Sequence, residues 1–417
     1  MGATIPSRIV GVRGQVVKSI SEEGSGVLCV RCCRDRRVVP VDARTGHRGR
    51  PNRWLRRRVM DVPLFGHRVA LDIEYLEIAI GARDRRVEQL AFVDAGARYT
   101  KRLAELVSAL CRHLPISAVA RWTGLAWRTV KDMDRSHLQA SLPALKPRDL
   151  TGLKSLGVDE VARAKGHDYV TVVYDLQNGG LLYVGDGKAA DSLGCFLAEL
   201  SAETAASIEA VAMDMGPAYQ AAVREHLPNA TIVFDRFHVM KLYSDLIRNV
   251  RASEFRKADA EGKDVLKGTL YLLLGNRQRL DESGIARLED LMQANQTLAT
   301  VYTLKEQLQA LWSAPTEKAM RHALEQWCQL ARATNIRRLH SFANTLENHA
   351  DGICAYARFK LTTARIEAGN VAIGMIRKRA RGLLDQHYFK LKIRQSALPE
   401  PPLALFPLAR HLPQTSS

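Results

Sequence analysis

The sequence predicts an α/β protein with several domains, and three observations support this prediction. Three short apolar runs, ending at Asp159, Asp214 and Asp235, have the length and composition of buried strands. From about residue 245 to 359 the chain is rich in Leu, Ala, Glu, Lys and Arg at helical spacing, with no strand run of convincing length. The chain has 417 residues, more than one usual domain. We therefore expect a mixed sheet with flanking helices, a helical insertion and separate N-terminal modules.

The charge and composition of the chain indicate its class of partner and its cellular compartment. A formal net charge of +17 is typical of proteins that bind a polyanion, and nucleic acid is the leading candidate. The chain starts without an apolar signal core and contains no apolar run long enough to cross a bilayer. Its seven cysteines are mostly scattered and odd in number, which argues against a disulfide framework. We expect a cytoplasmic protein with no membrane partner.

The N-terminal residues 1–90 are predicted to form a basic module. Cys29 and Cys32 have the spacing of half a zinc site, but no second pair of cysteines follows in residues 75–86. Two interpretations stay open, a Zn²⁺ site completed by other ligands and a degenerate finger that keeps its fold by packing. Alternating apolar residues in 67–80 indicate strands in this module.

Arginine recurs throughout residues 31–58, and the densest run is Arg56, Arg57 and Arg58. This composition is typical of a surface that binds DNA phosphates. The alternative is a solvated charged surface, which we consider weaker because the segment contains few compensating acids.

Residues 116–131 have the pattern of a helix-turn-helix, within a predicted domain of residues 91–148. Ala120 is small enough for close helix packing, Gly124 suits the turn, and Leu125 and Val130 are apolar. Trp127, Arg128 and Lys131 would lie on the second helix and face DNA. A generic helical hairpin is the alternative.

The acidic residues of the predicted sheet indicate a metal site. Each aspartate follows a strand, and carboxylates that lie side by side repel unless a cation separates them, for which oxygen ligands suit Mg²⁺ or Mn²⁺. Strands over 167–176 and 180–185 and a helix over 190–202 complete the order strand, strand, strand, helix, strand, helix, strand. We favour Asp214 over Asp235 as the partner of Asp159, but both end a strand and the choice stays open.

The last predicted helix of the core, over residues 364–382, carries one acid on a basic face. Glu367, Asn370, Gly374, Lys378 and Arg381 share this face, and the isoleucines of the segment lie on the opposite face. One acid among basic residues suits a metal ligand surrounded by phosphate contacts. Read alone, Glu367 is more often a solvated helix acid.

The order and content of these motifs over about residues 152–393 resemble the RNase H-like core of DDE transposases, and most closely the insertion-sequence family named after ISL-three. The resemblance implies that Asp159, Asp214 and Glu367 are the catalytic residues and bind two divalent ions, Mg²⁺ or Mn²⁺. Asp235 and His238 resemble a (C/D)xxH signature and would position groups near the site, as would Asn370. Lys378 and Arg381 would contact DNA, and Gly374 stands where the family often has lysine.

The same resemblance implies function and partners. We expect a bacterial, nucleoid-associated enzyme that binds the terminal repeats of an insertion sequence, cleaves the DNA and transfers the strands to target DNA as a homodimer or higher oligomer. The alternatives are a catalytically inactive DNA-binding regulator and an RNase H-like nuclease. The predicted core occupies residues 149–248 and 359–397, the helical insertion residues 249–358 and a loosely ordered tail residues 398–417.

Overall fold

The computed structural model of the protein describes residues 10–24, 26–64, 66–81, 84–143, 150, 152–164, 168–187, 190–361, 364–380 and 384–399. The chain forms two compact units, the first made of Met1–Pro143 with Gly374–Ser417 and the second of Ala144–Ile373. Two of our expectations concern residues outside the described part of the chain. They are the DNA contact of Arg381 and the loose order of the tail beyond residue 399.

The strands are β1 (Gln15–Glu23), β2 (Val27–Arg34), β3 (Arg50–Leu64), β4 (His67–Ala79), β5 (Arg85–Val87), β6 (Ser155–Ala164), β7 (Asp168–Asp175), β8 (Leu181–Asp186), β9 (Ala210–Met213) and β10 (Thr231–Phe234). The helices of the first domains and the core are α1 (Lys101–His113), α2 (Ile116–Thr123), α3 (Trp127–Ser141), α4 (Ala190–Ala198), α5 (Ala202–Ser207), α6 (Pro217–His226) and α7 (Arg236–Lys257). The remaining helices are α8 (Ala260–Leu266), α9 (Leu270–Leu274), α10 (Glu282–Ala294), α11 (Gln296–Ala310), α12 (Glu317–Arg332), α13 (Arg337–Asn348), α14 (Ala350–Phe359), α15 (Ala364–Ala380) and α16 (Gln386–Ser396).

The first unit begins with an antiparallel-rich sheet in the order β1-β2-β4-β3, with β5 paired to β4. Alternate residues of these strands point into one small apolar core, in which Val59, Leu71 and Ile73 are fully buried. The strands expected within residues 67–80 are therefore present as β4. Strands β3 and β4 form a long antiparallel ribbon that presents arginines to solvent.

Helices α2 and α3 form the predicted helix-turn-helix, and α1 packs on both. Gly124 ends α2 with a φ of 67°, a left-handed conformation that glycine adopts at little cost. Val107, Val119 and Val130, one from each helix, are fully buried together.

Helix α16 also belongs to the first unit, although residues 359–397 were expected to close the core. Its Tyr388 and Leu391 pack against Leu138 of α3, so the chain returns to the helix-turn-helix after leaving the core. Apolar packing of α16 explains why the unit boundary falls within α15, at residue 374.

The second unit contains a five-stranded sheet in the order β10-β9-β6-β7-β8. Strands β6, β7 and β8 pair antiparallel, whereas β9 and β10 run parallel to β6. The predicted RNase H-like mixed sheet with flanking helices is therefore confirmed. The helical insertion is confirmed as well, because only helices occur in the described chain between β10 and α15.

Helix α15 lies directly on the sheet because two glycines allow a close approach. A Cβ on Gly157 of β6 would lie 2.5 Å from Cδ1 of Ile366 and 2.7 Å from Cδ2 of Leu176. A Cβ on Gly369 would lie 2.7 Å from Cζ of Tyr174 on β7. Any side chain at these positions would lift the helix that carries Glu367 and Asn370. No helix in the described ranges is both long and apolar enough to cross a membrane.

We predict that Gly157→Ala lowers the free energy of unfolding by about 1–3 kcal/mol, because the added methyl overpacks the contact between β6 and α15. Gly180→Ala is the matched control, since a Cβ there would meet no atom within 4 Å. Calorimetric unfolding of both variants measures the difference. Equal transition temperatures would show that α15 can move off the sheet at no cost.

Candidate active site and DNA-binding surfaces

The register of the parallel strands places the three aspartates at one level. Gly157 of β6 pairs with Ala212 of β9, and Met213 of β9 pairs with Phe234 of β10. Continued by one or two residues, this register puts Asp159, Asp214 and Asp235 side by side across neighbouring strands. Residues at the same level of parallel strands point to the same face.

Asp159 is held by two hydrogen bonds in a largely buried position. Its Oδ1 accepts a bond of 2.7 Å from the backbone N–H of Glu160, and its Oδ2 accepts a bond of 2.5 Å from Nδ2 of Asn370 on α15. Burial raises the pKa of Asp159, and the nearby charge of Asp214 raises it further, whereas the bond from Asn370 lowers it. A cation at this carboxylate would stabilise its ionised form.

Asp214 and Asp235 differ in what their oxygens contact. Asp214 Oδ1 accepts a hydrogen bond of 2.9 Å from the backbone of Gly216. Asp235 is the N-cap of α7, where its Oδ1 accepts a bond of 2.9 Å from the N–H of Phe237 and its Oδ2 lies 3.2 Å from Nδ1 of His238. Both oxygens of Asp235 are thus engaged in local structure.

His238 lies between two of the carboxylates. Its Nε2 is 3.9 Å from Oδ1 of Asp159, on the side opposite its contact with Asp235. The hydrogen bond to Asp235 raises the pKa of His238, burial opposes the rise, and the charge of Asp159 adds to it. The imidazole is oriented by Asp235, as the sequence motif predicted.

Glu367 is exposed on α15, one helical turn before Asn370. Among the described residues no three His, Cys, Asp or Glu side chains lie around one point at the spacing of a metal site. The donor chemistry nevertheless fits a hard cation. The carboxylates of Asp159 and Asp214 are close enough to interact, and Oδ1 of Asn370 is buried with no hydrogen-bond partner in the described structure.

On the predicted recognition helix α3, two of the three residues expected to contact DNA are exposed to solvent and the third is mostly covered. The side chain of Arg128 is 90% exposed and Trp127 is half exposed. Lys131 is only 20% exposed, because its Nζ forms an ion pair of 2.8 Å with Asp385. Lys378 is exposed on α15.

The arginine run is compensated by acids, contrary to our expectation. Arg56 pairs with Glu74 at 2.5 Å, and Arg58 pairs with Asp72 and Glu23, each at 2.8 Å. The acids lie outside the arginine-rich segment in sequence. Asp72 and Glu74 are on β4, the strand paired with β3, and Glu23 is on β1.

Other arginines of the first unit leave more charge available for DNA. Arg57 points to the opposite face and lies over the ring of Tyr75, 5.3 Å from its centroid. Arg48, Arg50 and Arg53 are exposed and have no acidic partner in the parts of the chain described.

Cys29 and Cys32 lie on different faces of β2. Cys32 points into the apolar core with Val30, whereas the thiol of Cys29 donates to Oδ2 of Asp72 at 3.1 Å. Burial raises the pKa of Cys32 to about 12, which opposes the thiolate that zinc requires. The strand does not bring the two thiols together as half of a zinc site.

A buried charged cluster joins the recognition helix to α16. Asp134 of α3 is fully buried and its carboxylate receives hydrogen bonds from Ser108 at 2.6 Å, Tyr388 at 2.5 Å and the Nζ of Lys392 at 3.1 Å. Burial lowers the pKa of Lys392, and the charge of Asp134 opposes that change. Nothing in the sequence near residue 134 points to a partner more than 250 positions away.

Both parts of the chain match known families in sequence. Residues 156–393 match the DDE transposase family ISL3, and residues 88–138 match the helix-turn-helix domain of transposase family ISL3. The chain is 37% identical over 343 residues to the transposase for insertion sequence element IS1001 of Bordetella parapertussis. The aligned region covers 81% of this chain and 84% of that protein. It is 28% identical over 289 residues to the transposase for insertion sequence element IS1557 of Mycobacterium tuberculosis, 64% of each chain.

We predict that Asp134→Ala destabilises the protein by about 3–5 kcal/mol, because it leaves the buried ammonium of Lys392 without its counter-charge. The double substitution Asp134→Leu with Lys392→Met should recover most of this loss, since it removes both charges. Asp132→Ala, at an exposed position of the same helix, is the control. Denaturant unfolding compares the four proteins, and a double variant as unstable as Asp134→Ala would contradict the prediction.

Proposed function

The chain belongs to the ISL3 family of insertion-sequence transposases, and on that premise we propose that Asp159, Asp214 and Glu367 are its catalytic acids. The protein is a transposase with a helix-turn-helix DNA-binding domain and a DDE catalytic domain. The level placement of Asp159 and Asp214 on neighbouring strands, with Asn370 bonded to Asp159, is the observation that carries the assignment.

The residues of the site have separate roles in this proposal. Asp159 and Asp214 supply carboxylate oxygens from the sheet, and Glu367 supplies a third carboxylate from α15, one turn from Asn370. Two bound Mg²⁺ or Mn²⁺ ions would supply activation of the attacking hydroxyl and stabilisation of the leaving oxygen. Asn370 would position Asp159, and Asp235 would position His238. The imidazole of His238 would be a proton donor beside Asp159, where a DNA phosphate can approach it.

The first unit supplies the DNA contacts. Trp127 and Arg128 would reach base edges from α3, and Lys131 would hold the helix through Asp385. Arg48, Arg50 and Arg53 would neutralise phosphates, with smaller contributions from Arg56, Arg57 and Arg58 because two of these are paired to acids. We propose that the β-sheet module keeps its fold by packing and needs no Zn²⁺.

The proposed function also implies an oligomeric state, a DNA partner and a cellular location. An insertion sequence has two ends and a target, so we propose that a homodimer or higher oligomer assembles on double-stranded DNA. The DNA substrate would place the protein in the cytoplasm, on the bacterial nucleoid. Lys378 would add a phosphate contact from α15, the helix that also carries Glu367.

We predict that Asp159→Asn, Asp214→Asn or Glu367→Gln reduces cleavage of end DNA by at least about a hundredfold while end binding changes little, because each removes a metal ligand and few DNA contacts. Glu209→Gln, at an exposed ion pair with Lys154, is the matched control. Labelled element-end DNA with Mg²⁺ or Mn²⁺ measures cleavage, and a gel shift measures binding.

Two outcomes would change this assignment. Full cleavage by Asp214→Asn, together with loss in Asp235→Asn, would make Asp235 the second metal ligand. Binding of the ends by the unmodified protein without any cleavage would favour the inactive regulator.

We predict that Arg128→Ala reduces discrimination between end DNA and scrambled DNA by about ten- to hundredfold, since a bidentate contact from arginine to guanine contributes about 1–3 kcal/mol. Lys131→Ala should reduce discrimination less, because Asp385 already engages the ammonium. Competitive binding to duplexes of equal length measures both. Equal losses of affinity for the two DNAs in Arg128→Ala would place this residue on phosphate.

A further inference from the structure

Phe237 is an exposed aromatic residue beside the catalytic acids, and the roles assigned above do not use it. It is the second residue of α7, and 52% of it is exposed. The buried stripe of the helix runs through Val239, Tyr243 and Ile247, so Phe237 contributes to no core cluster in the described chain. Single exposed apolar residues are common on protein surfaces, so Phe237 is distinguished by where its ring lies.

The position of this ring relates it to the site. The rings of Phe237 and His238 are 5.9 Å apart and meet edge to face, and Nε2 of His238 is 3.9 Å from Asp159. Successive bases of a strand are about 3.4 Å apart along the duplex, so these two contacts place Phe237 within roughly three bases of a phosphodiester at Asp159.

The neighbours of Phe237 are cations. Arg236 and Lys241 are exposed and have no acidic partner in the described residues, and Lys241 lies one turn after Phe237 on the same face of α7. An aromatic ring flanked by positive charge is the arrangement with which proteins bind unstacked bases along a backbone.

We propose that Phe237 is a stacking platform for one nucleobase of the element end, displaced from the duplex next to the bond that is cleaved. This inference rests on the proposed function, because it requires a DNA strand at Asp159. Displacing a base exposes the adjoining phosphodiester to the carboxylates, and stacking on Phe237 offsets the loss of stacking in the duplex. Arg236 and Lys241 would hold the flanking phosphates.

The experiment compares Phe237→Ala, Phe237→Trp and Phe237→Leu with the unmodified protein on two kinds of end DNA. One is fully paired, and the other carries a mismatch or an abasic site at the nucleotides that flank the cleaved bond. Tyr271→Ala is the matched control, because Tyr271 is a still more exposed aromatic residue in the helical insertion. Cleavage rates, end binding and the fluorescence of 2-aminopurine at the same nucleotides are measured.

Phe237→Ala should slow cleavage of the paired end roughly tenfold or more, as expected from the loss of one base–aromatic stack. Binding should change little, Phe237→Trp should retain the rate, and Phe237→Leu should fall between them. The mismatched end should restore the rate of Phe237→Ala, because its base is already displaced. The 2-aminopurine signal that reports unstacking should be reduced most in Phe237→Ala, less in Phe237→Leu, and not in Phe237→Trp or Tyr271→Ala.

Wild-type rates of Phe237→Ala on the paired end would overturn the stacking role and leave the proposed function intact. A slow Phe237→Ala that the mismatched end does not restore would also overturn it, because the defect would then lie elsewhere than in base displacement. Failure of the unmodified protein to cleave either DNA would instead overturn the proposed function.

Discussion

The hydrogen bond from Asn370 to Asp159 is the contact on which the proposed catalytic site depends, because it joins α15 to the centre of the sheet. It forms only if the helix lies directly on β6 and β7, and the absent side chains of Gly157 and Gly369 allow that approach. Glu367 is one turn away on the same helix, so the packing that orients Asn370 also sets the position of Glu367, the third acid of the proposed site. The chemistry of the site is therefore limited by backbone packing as much as by its carboxylates.

The charge of the first unit is distributed less simply than its composition indicates. The densest arginines are paired across strands, and the exposed pairs of this kind contribute little to stability. They limit how much positive potential the β3–β4 ribbon presents. In the proposed function, DNA is attracted mainly by arginines such as Arg50 and Arg53, which have no acid partner in the described chain, and by Arg128 on the predicted recognition helix.

Local patterns predicted most of the fold, and long-range contacts account for what they missed. The apolar runs before Asp159, Asp214 and Asp235 predicted the strands, and Gly124 predicted the turn before α3, because each signal lies within a few residues. The acids at 72 and 74 alternate along β4, and pairing that pattern with the arginines of β3 would have revealed the compensation. Phe237 could also have been found, since it lies off the buried stripe of its helix. The return of α16 to the helix-turn-helix has no local signal, because Asp134 and Lys392 are ordinary charged residues until the fold joins them.

The docking of α16 on α3 determines when the first unit can complete its fold. Asp134 is fully buried, and a buried carboxylate without partners is costly, so α3 cannot reach its final surroundings until Tyr388 and Lys392 are present. Both partners are synthesised after the whole catalytic core. During synthesis the helices α1, α2 and α3 can form, since their shared core of Val107, Val119 and Val130 is local. The charged contacts of α3 form only when α16 docks. The surface that contains Lys131 and Asp385 is therefore completed only after all the domains have been synthesised.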